Sequence, residues 1–113
     1  MLDDIATLSL QSAMHGLSVQ QQVSANNIAN LETPNFTAQN VDFESSLADA
    51  IAAGDPSSAT VSTSASPDAA GVNGNNVSLD EELVTTTKNQ LQQQLVAGAL
   101  TSTYGLMATV LQG

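Results

Sequence analysis

Ser24-Ala25-Asn26-Asn27-Ile28-Ala29-Asn30-Leu31-Glu32-Thr33-Pro34-Asn35-Phe36 is the stretch on which the fold turns. Upstream and into it, Leu10, Met14, Leu17, Ile28 and Leu31 keep an alternating four- and three-residue spacing, with Gln21 and Ser24 as polar members, so they share one helix face. A second stripe, Ile5, Leu8, Ser12, Val19 and Val23, lies beside the first. The pattern predicts one helix over about 3–31. Asp3 and Asp4 sit in its first turn, where the helix macrodipole favours negative charge. Pro34 ends it, because the proline ring pushes Thr33 out of helical geometry. Thr33–Phe36 then reads as a type II turn, with Pro34 at its second position and Asn35 tolerating positive φ at its third. Asn26, Asn27 and Asn30 are poor helix formers. Where such amides are buried they must be hydrogen-bonded, and the network then fixes register between elements.

Working outward, residues about 78–112 read as a second, longer helix. Ser78 and Glu81 have the spacing of a capping box, and Asp80, Glu81 and Glu82 fill a first turn that favours them. Heptad spacing runs from Leu79 and Leu83 through Ala97, Leu100, Tyr104, Met107 and Leu111, and Leu91 and Leu95 supply a second face. Between the two helices, Phe43, Leu47 and Ile51 recur every fourth residue and predict a short amphipathic helix over about 43–53. The Ser/Ala/Thr-rich run that follows reads as a flexible loop, with Asn73-Gly74-Asn75 as a turn signal. The predicted fold is all-α: two long terminal helices packed as an antiparallel coiled-coil hairpin, with a short middle helix and a flexible loop. It forms one domain, 1–113, divided into an N-terminal helix (1–33), a turn, short helix and loop (34–77) and a C-terminal helix (78–113). The residues expected to pack the helices are Leu10, Met14, Leu17, Leu31, Leu91, Leu95, Leu100, Tyr104, Met107 and Leu111.

The charge balance narrows the function. The 113 residues hold 11 acids and one cation, Lys88, for a formal net charge of -10. Nothing is available to neutralise phosphate, which argues against nucleic acid or anionic lipid as a partner. With no Cys and one His, thiolate and His-based metal sites and most acid–base constellations are lost. His15, between Met14 and Gly16, reads as a packing or hydrogen-bonding residue. Asp42 and Glu44, flanking Phe43, read as a solvated face. No catalytic, cofactor or metal site is expected, and the opening Met1-Leu2-Asp3-Asp4 lacks the basic start of a cleaved signal peptide.

Residues 5–31 and 89–113 contain no Asp, Glu, Lys or Arg, where ordinary usage would place about 13 charges. A hairpin standing alone would need charge on its wet faces. These faces carry Gln, Ser, Thr, Asn and Ala, which suit close helix contact on several sides. Gly16, Gly98 and Gly105 each cost about 1 kcal/mol in a helix interior, and close backbone approach is the expected compensation. The helices are therefore read as surfaces completed by neighbouring subunits.

The opening stretch resembles the rod, hook and hook-cap-junction family of bacterial flagellar axial proteins. The family has an Ala-Asn-Asn-Ile-Ala-Asn-like run followed by a Thr-Pro-Gly-Phe/Tyr turn. Ala25, Asn26, Asn27, Ile28, Ala29 and Asn30 match the run, and Thr33, Pro34 and Phe36 match the turn. Asn35 stands where the family usually has Gly, and Asn is well suited to replace Gly at positive φ. Val41, Asp42 and Phe43 with Glu44 and Leu47, and the Asn75–Glu82 run followed by Asn89-Gln90-Leu91, are similar to the proximal-rod members. The resemblance covers 1–53 and 75–113. It implies a structural subunit, exported unfolded by the flagellar type III apparatus without a cleaved signal. Such subunits polymerise through their terminal helices into the periplasm-spanning rod, a drive shaft around the export channel. The implied partners are other rod subunits, the rod adaptor, membrane-ring proteins and the export apparatus, with no nucleic acid and no small-molecule substrate. The nearest alternative is a sibling proximal-rod protein. The alternative from another class is a small secreted helical-hairpin binding protein, whose Trp-x-Gly turn this Trp-free chain lacks.

Overall fold

The computed structural model describes residues 2–112, with side chains placed for 5–106 and 108–111. The chain is mostly helical. Helix α1 spans Leu2–Ala29, strand β1 Gln39–Asp42, helix α2 Glu44–Ala52, strand β2 Ser62–Ala65 and helix α3 Leu79–Gln112. A single 3-10 turn lies at Pro56–Ser58. The molecule is long and thin, with extents of 64 × 25 × 14 Å. At about 1.5 Å per residue, α1 and α3 account for that length.

The helix limits follow the local signals. α1 unwinds through tightened turns: the Asn30 N–H donates to Asn26 and Asn27 O at 3.1 Å, and the Leu31 N–H to Ile28 O at 3.1 Å. The predicted turn forms, with Asn35 at φ 61° and the Phe36 N–H donating to Thr33 O at 3.3 Å. At the start of α3, Ser78 Oγ accepts the Glu81 N–H at 3.4 Å. The side chains of Asp3, Asp4 and Met107, assigned to capping and packing above, lie outside the described ones.

The all-α expectation needs correction in the middle segment. β1 and β2 pair antiparallel, Gln39 opposite Ala65 through Asp42 opposite Ser62. The expected flexible loop therefore contributes a strand. Pro56 is buried, and its carbonyl accepts the Ser12 hydroxyl of α1 at 3.0 Å. The Thr60 N–H donates to Ser46 Oγ of α2 at 2.9 Å. These bonds tie the Ser/Thr-rich run down, because its hydroxyls and backbone find partners on α1, β1 and α2.

The packed centre is small: Leu17, Ala38, Phe43 and Ala50 are its buried apolar residues. Gly16 makes it possible. A Cβ at this position would fall within the Phe43 ring, so the ring lies directly against the α1 backbone. Gly16→Ala is expected to destabilise the fold by about 1–3 kcal/mol through overpacking, despite Ala's better helix propensity. A lowered urea midpoint at unchanged m-value checks this.

The seam of α3 also differs from the predicted heptad. Its buried and half-buried positions are Glu82, Thr85, Thr86, Asn89, Gln92, Gln93, Val96, Leu100 and Thr103, a largely polar line that keeps Leu100 of the predicted heptad but leaves its other described apolar members outside. Among the described residues, three side-chain hydrogen bonds join α1 to α3: Gln11 Nε2 to Tyr104 Oη at 3.0 Å, Gln93 Nε2 to Gln21 Oε1 at 3.1 Å, and Asn27 Nδ2 to Glu82 Oε1 at 2.8 Å. Within the single chain, Leu91, Leu95, Tyr104 and Leu111 do not pack as expected. Leu95 is 74 % and Leu111 85 % exposed. On the inner line Glu82 and Gln93 bond across to α1, and the large apolar residues turn outward.

Candidate functional site

The opening motif and the loop before α3 meet in a knot of side-chain amides. Asn27 is at its centre and only 1 % exposed. Its Oδ1 accepts the Gln39 N–H at 3.0 Å, and its Nδ2 donates to Gln39 O at 2.9 Å. The side chain thus acts as a third strand on the outer edge of β1. The same Nδ2 donates to Glu82 Oε1 on α3 at 2.8 Å. One amide therefore joins α1, β1 and α3, and its charge-assisted bond to Glu82 is the stronger kind.

Asn75 and Asn76 hold the other side. Asn75 Nδ2 donates to Asn30 O and Thr33 O, both at 2.8 Å, and Asn75 Oδ1 accepts the Val77 N–H at 2.7 Å. These two carbonyls already accept the Thr33 and Phe36 N–H groups of the turn, and thus gain a second donor from the loop that starts α3. Asn76 Oδ1 accepts the Ala38 N–H at 2.7 Å, and its Nδ2 reaches Ser66 O at 3.2 Å and Asp68 O at 3.1 Å. The Asn35 N–H donates to Asn73 O at 2.9 Å. Gly74, at φ 79°, leaves room for Asn35 that any Cβ would take. Asn35, Asn73, Gly74 and Asn75 therefore form one interlocked pair of turns.

Of the expected motif residues, Asn27 and Phe43 are buried, and Ile28, Asn30, Phe36 and Val41 are half-buried. Ala25, Asn26, Ala29, Thr33, Pro34 and Asp42 are exposed. Leu17 is buried, and Leu10, Met14, Leu31 and Leu100 are half-buried. His15, read as a packing or hydrogen-bonding residue, is exposed on α1 in the single chain. The sequence reading omitted Gln39, Asn75, Asn76, Glu82 and Asn89 from the site. The cluster Asn73, Asn75, Asn76 directly before the Ser78 cap was the available signal, since loop amides at a helix start are well placed to bond nearby backbone.

A chain whose buried side-chain chemistry is amide-to-backbone bonding is built to hold shape. The family model for flagella basal body rod protein matches residues 8–37, which include the whole opening motif. The chain is 32 % identical to the flagellar basal body rod protein FlgB of Bacillus subtilis, over 93 % of this chain and 92 % of that one. The chain belongs to the FlgB family. It is also 32 % identical to the Escherichia coli FlgB (99 % of this chain, 98 % of that one) and 30 % identical to the Salmonella typhimurium one (100 % and 99 %). Membership of the FlgB family makes this chain a structural component of the flagellar basal body rod, and so a motility protein. The amide knot spans the matched motif and both terminal helices.

Proposed function

We propose that the chain is a subunit of the proximal rod that polymerises through its terminal helices, which complete an antiparallel coiled coil within the tube wall. In this role it transmits torque and surrounds the export channel. Its partners are other rod subunits, the rod adaptor and membrane-ring proteins, and it reaches them unfolded through the type III apparatus. The observation that carries this reading is the uncovered apolar side of α3. Leu83, Val84, Leu91, Leu95, Leu106, Val110 and Leu111 are all exposed along a helix that, after its acidic first turn and Lys88, carries no charged side chain from residue 89 on. At about 25 cal/mol per Å² of apolar surface removed from water, neighbours covering this side would drive assembly. Gly98 and Gly105, which face open space in the single chain, offer notches for close helix approach.

The test is complementation of a strain lacking the chain. Leu91→Asp is 58 % exposed in the single chain, so the fold tolerates it. It is expected to leave export intact, to abolish incorporation into isolated basal bodies and to abolish swimming. Normal rods and swimming in this variant would remove the packing role of α3.

A further inference from the structure

The loop before α3 locks onto the turn after α1 through a chemically reactive pair, Asn73 and Gly74. Asn73 is the one Asn of the chain followed by Gly. Every other Asn precedes a residue with a side chain, and Asn26, Asn27, Asn40 and Asn89 lie inside α1, β1 or α3. Asn73 is exposed, as are Gly71 and Val72 before it. The side-chain carbonyl of an Asn is an electrophile within reach of the next residue's peptide nitrogen. Glycine in that next place leaves the approach uncrowded, because it has no Cβ.

Three hydrogen bonds surround the pair. The Asn35 N–H donates to Asn73 O at 2.9 Å, the Asn75 N–H to Asn73 Oδ1 at 3.1 Å, and the Gly74 N–H to Gly71 O at 2.9 Å. The first two favour reaction. Asn73 O belongs to the same amide as the Gly74 nitrogen, so a donor on it stabilises the anion formed when that nitrogen loses its proton. A donor on Oδ1 stabilises the negative charge that gathers there as the nitrogen adds to Cγ, in the manner of an oxyanion hole. The third bond must open first, and a hydrogen bond in an exposed turn opens at small cost.

We infer that Asn73 is a site of spontaneous covalent modification, in which the Gly74 nitrogen closes on Asn73 Cγ and the amide knot is released. The Gly74 N–Cγ bond forms as the Cγ–Nδ2 bond breaks. Nδ2 leaves as ammonia, carrying the proton that Gly74 gave up, and the chain is left with a cyclic succinimide. One water then opens the ring, with no change of oxidation state. Opening at Cγ gives an ordinary aspartyl chain. Opening at the main-chain carbonyl gives an iso-aspartyl chain, which runs through Cγ and is one carbon longer. The aspartyl product keeps an oxygen for the Asn75 N–H. The iso-aspartyl product cannot keep the knot. Gly74 already lies against Asn35 with no room for a Cβ. An added chain atom shifts the Asn35 bond against the Asn75 bonds to Asn30 O and Thr33 O. The loop that starts α3 then comes free of the turn after α1, and the change is one-way.

The full chain is incubated for days in warm, mildly alkaline buffer, with far-UV circular dichroism showing that it stays folded. Digestion with a glutamate-specific protease and electron-transfer fragmentation then read each Asn. Asn73 is expected to gain about one mass unit and to convert about tenfold or more faster than any other Asn, with iso-aspartate among the products. Purified iso-aspartyl chain should exchange amide hydrogens faster than fresh chain in residues 30–36 and 71–77. A freshly prepared Asn73→Asp variant, with the same added charge and no added carbon, should exchange like the parent. Asn73→Ser has no ammonia to lose and keeps an oxygen for the Asn75 N–H, so it should stay unmodified over the same time. Absence of iso-aspartate at residue 73 in the folded chain, or conversion spread evenly over the Asn residues, would overturn the site. Iso-aspartyl chain that exchanges like Asn73→Asp would overturn the release of the knot.

Discussion

Asn27→Ala is expected to cost about 3–4 kcal/mol of stability, against a total of about 5–15 for a protein of ordinary stability. The side chain is 1 % exposed and bonds both polar groups of Gln39 and the carboxylate of Glu82. Truncation removes all three bonds at once. Gln39 N–H and C=O are then left on the outer edge of β1, away from β2, without the Asn27 amide, and Glu82 loses a donor between α1 and α3. Each unpaired buried group costs about 1–3 kcal/mol, and the losses overlap because the three bonds share one amide. Urea unfolding followed by circular dichroism measures the drop.

Asn27→Asp sharpens the test. The shape is kept and one oxygen still accepts the Gln39 N–H, but the donor becomes an acceptor facing Gln39 O and Glu82. Burial and the neighbouring carboxylate both disfavour ionisation, so the new group's folded-state pKa lies above its unfolded value of about 3.9. A group shifted that way destabilises the fold above its unfolded pKa, and the penalty fades as pH falls through the folded one. The difference between this variant and the parent should therefore shrink on acidification from pH 7. Asn27→Ala should show no comparable recovery. A pH-independent deficit for Asn27→Asp would mean that the carboxylate does not face Glu82.

The helices were legible because each carries its own local signals. Apolar spacing marked α1 and α2, Pro34 and Asn35 fixed the turn, and Ser78 with its acids marked the start of α3. β2 was not legible, since Ser62-Thr63-Ser64-Ala65 has neither alternation nor β-branched bulk beyond Thr63. Its pairing with β1 is a non-local contact that a linker-like composition conceals. The seam of α3 misled for a related reason. Heptad reasoning places Leu79 and Leu83 inside, with Leu91 and Leu95 on a second packed face, but a line of mostly polar residues, among them Gln93 and Glu82 bonded to α1, lies inside instead. In a subunit whose outer faces serve other subunits, the apolar stripe is a poor guide to the inside of the single chain. The site was half legible: the Asn run of α1 announced an amide network, and its acceptors on β1 and in the 73–77 loop lie far along the chain.

Asn75→Ala should be the second most damaging change, costing about 2–3 kcal/mol, and its effect should be local. Asn75 is buried and its amide closes Asn30 O, Thr33 O and the Val77 N–H. Unlike Asn27 it touches no carboxylate, so no charge is stranded when it is removed. The two carbonyls it bonds lie in the turn that follows α1, and the N–H it satisfies precedes the Ser78 cap of α3. Removing it uncouples the end of one long helix from the beginning of the other while the packing of Leu17 and Phe43 stays intact. Hydrogen exchange should therefore rise first in residues 30–36 and 71–77, with the amides around Leu17 and Phe43 less affected. Uniform acceleration across α1 and α3 would show instead that the knot and the apolar centre unfold as one unit. Local loosening carries a functional consequence under the rod reading. The angle at which the two helices leave the knot sets how their outer faces meet neighbouring subunits, so Asn75→Ala should lower rod incorporation in cells even at temperatures where the purified chain remains folded.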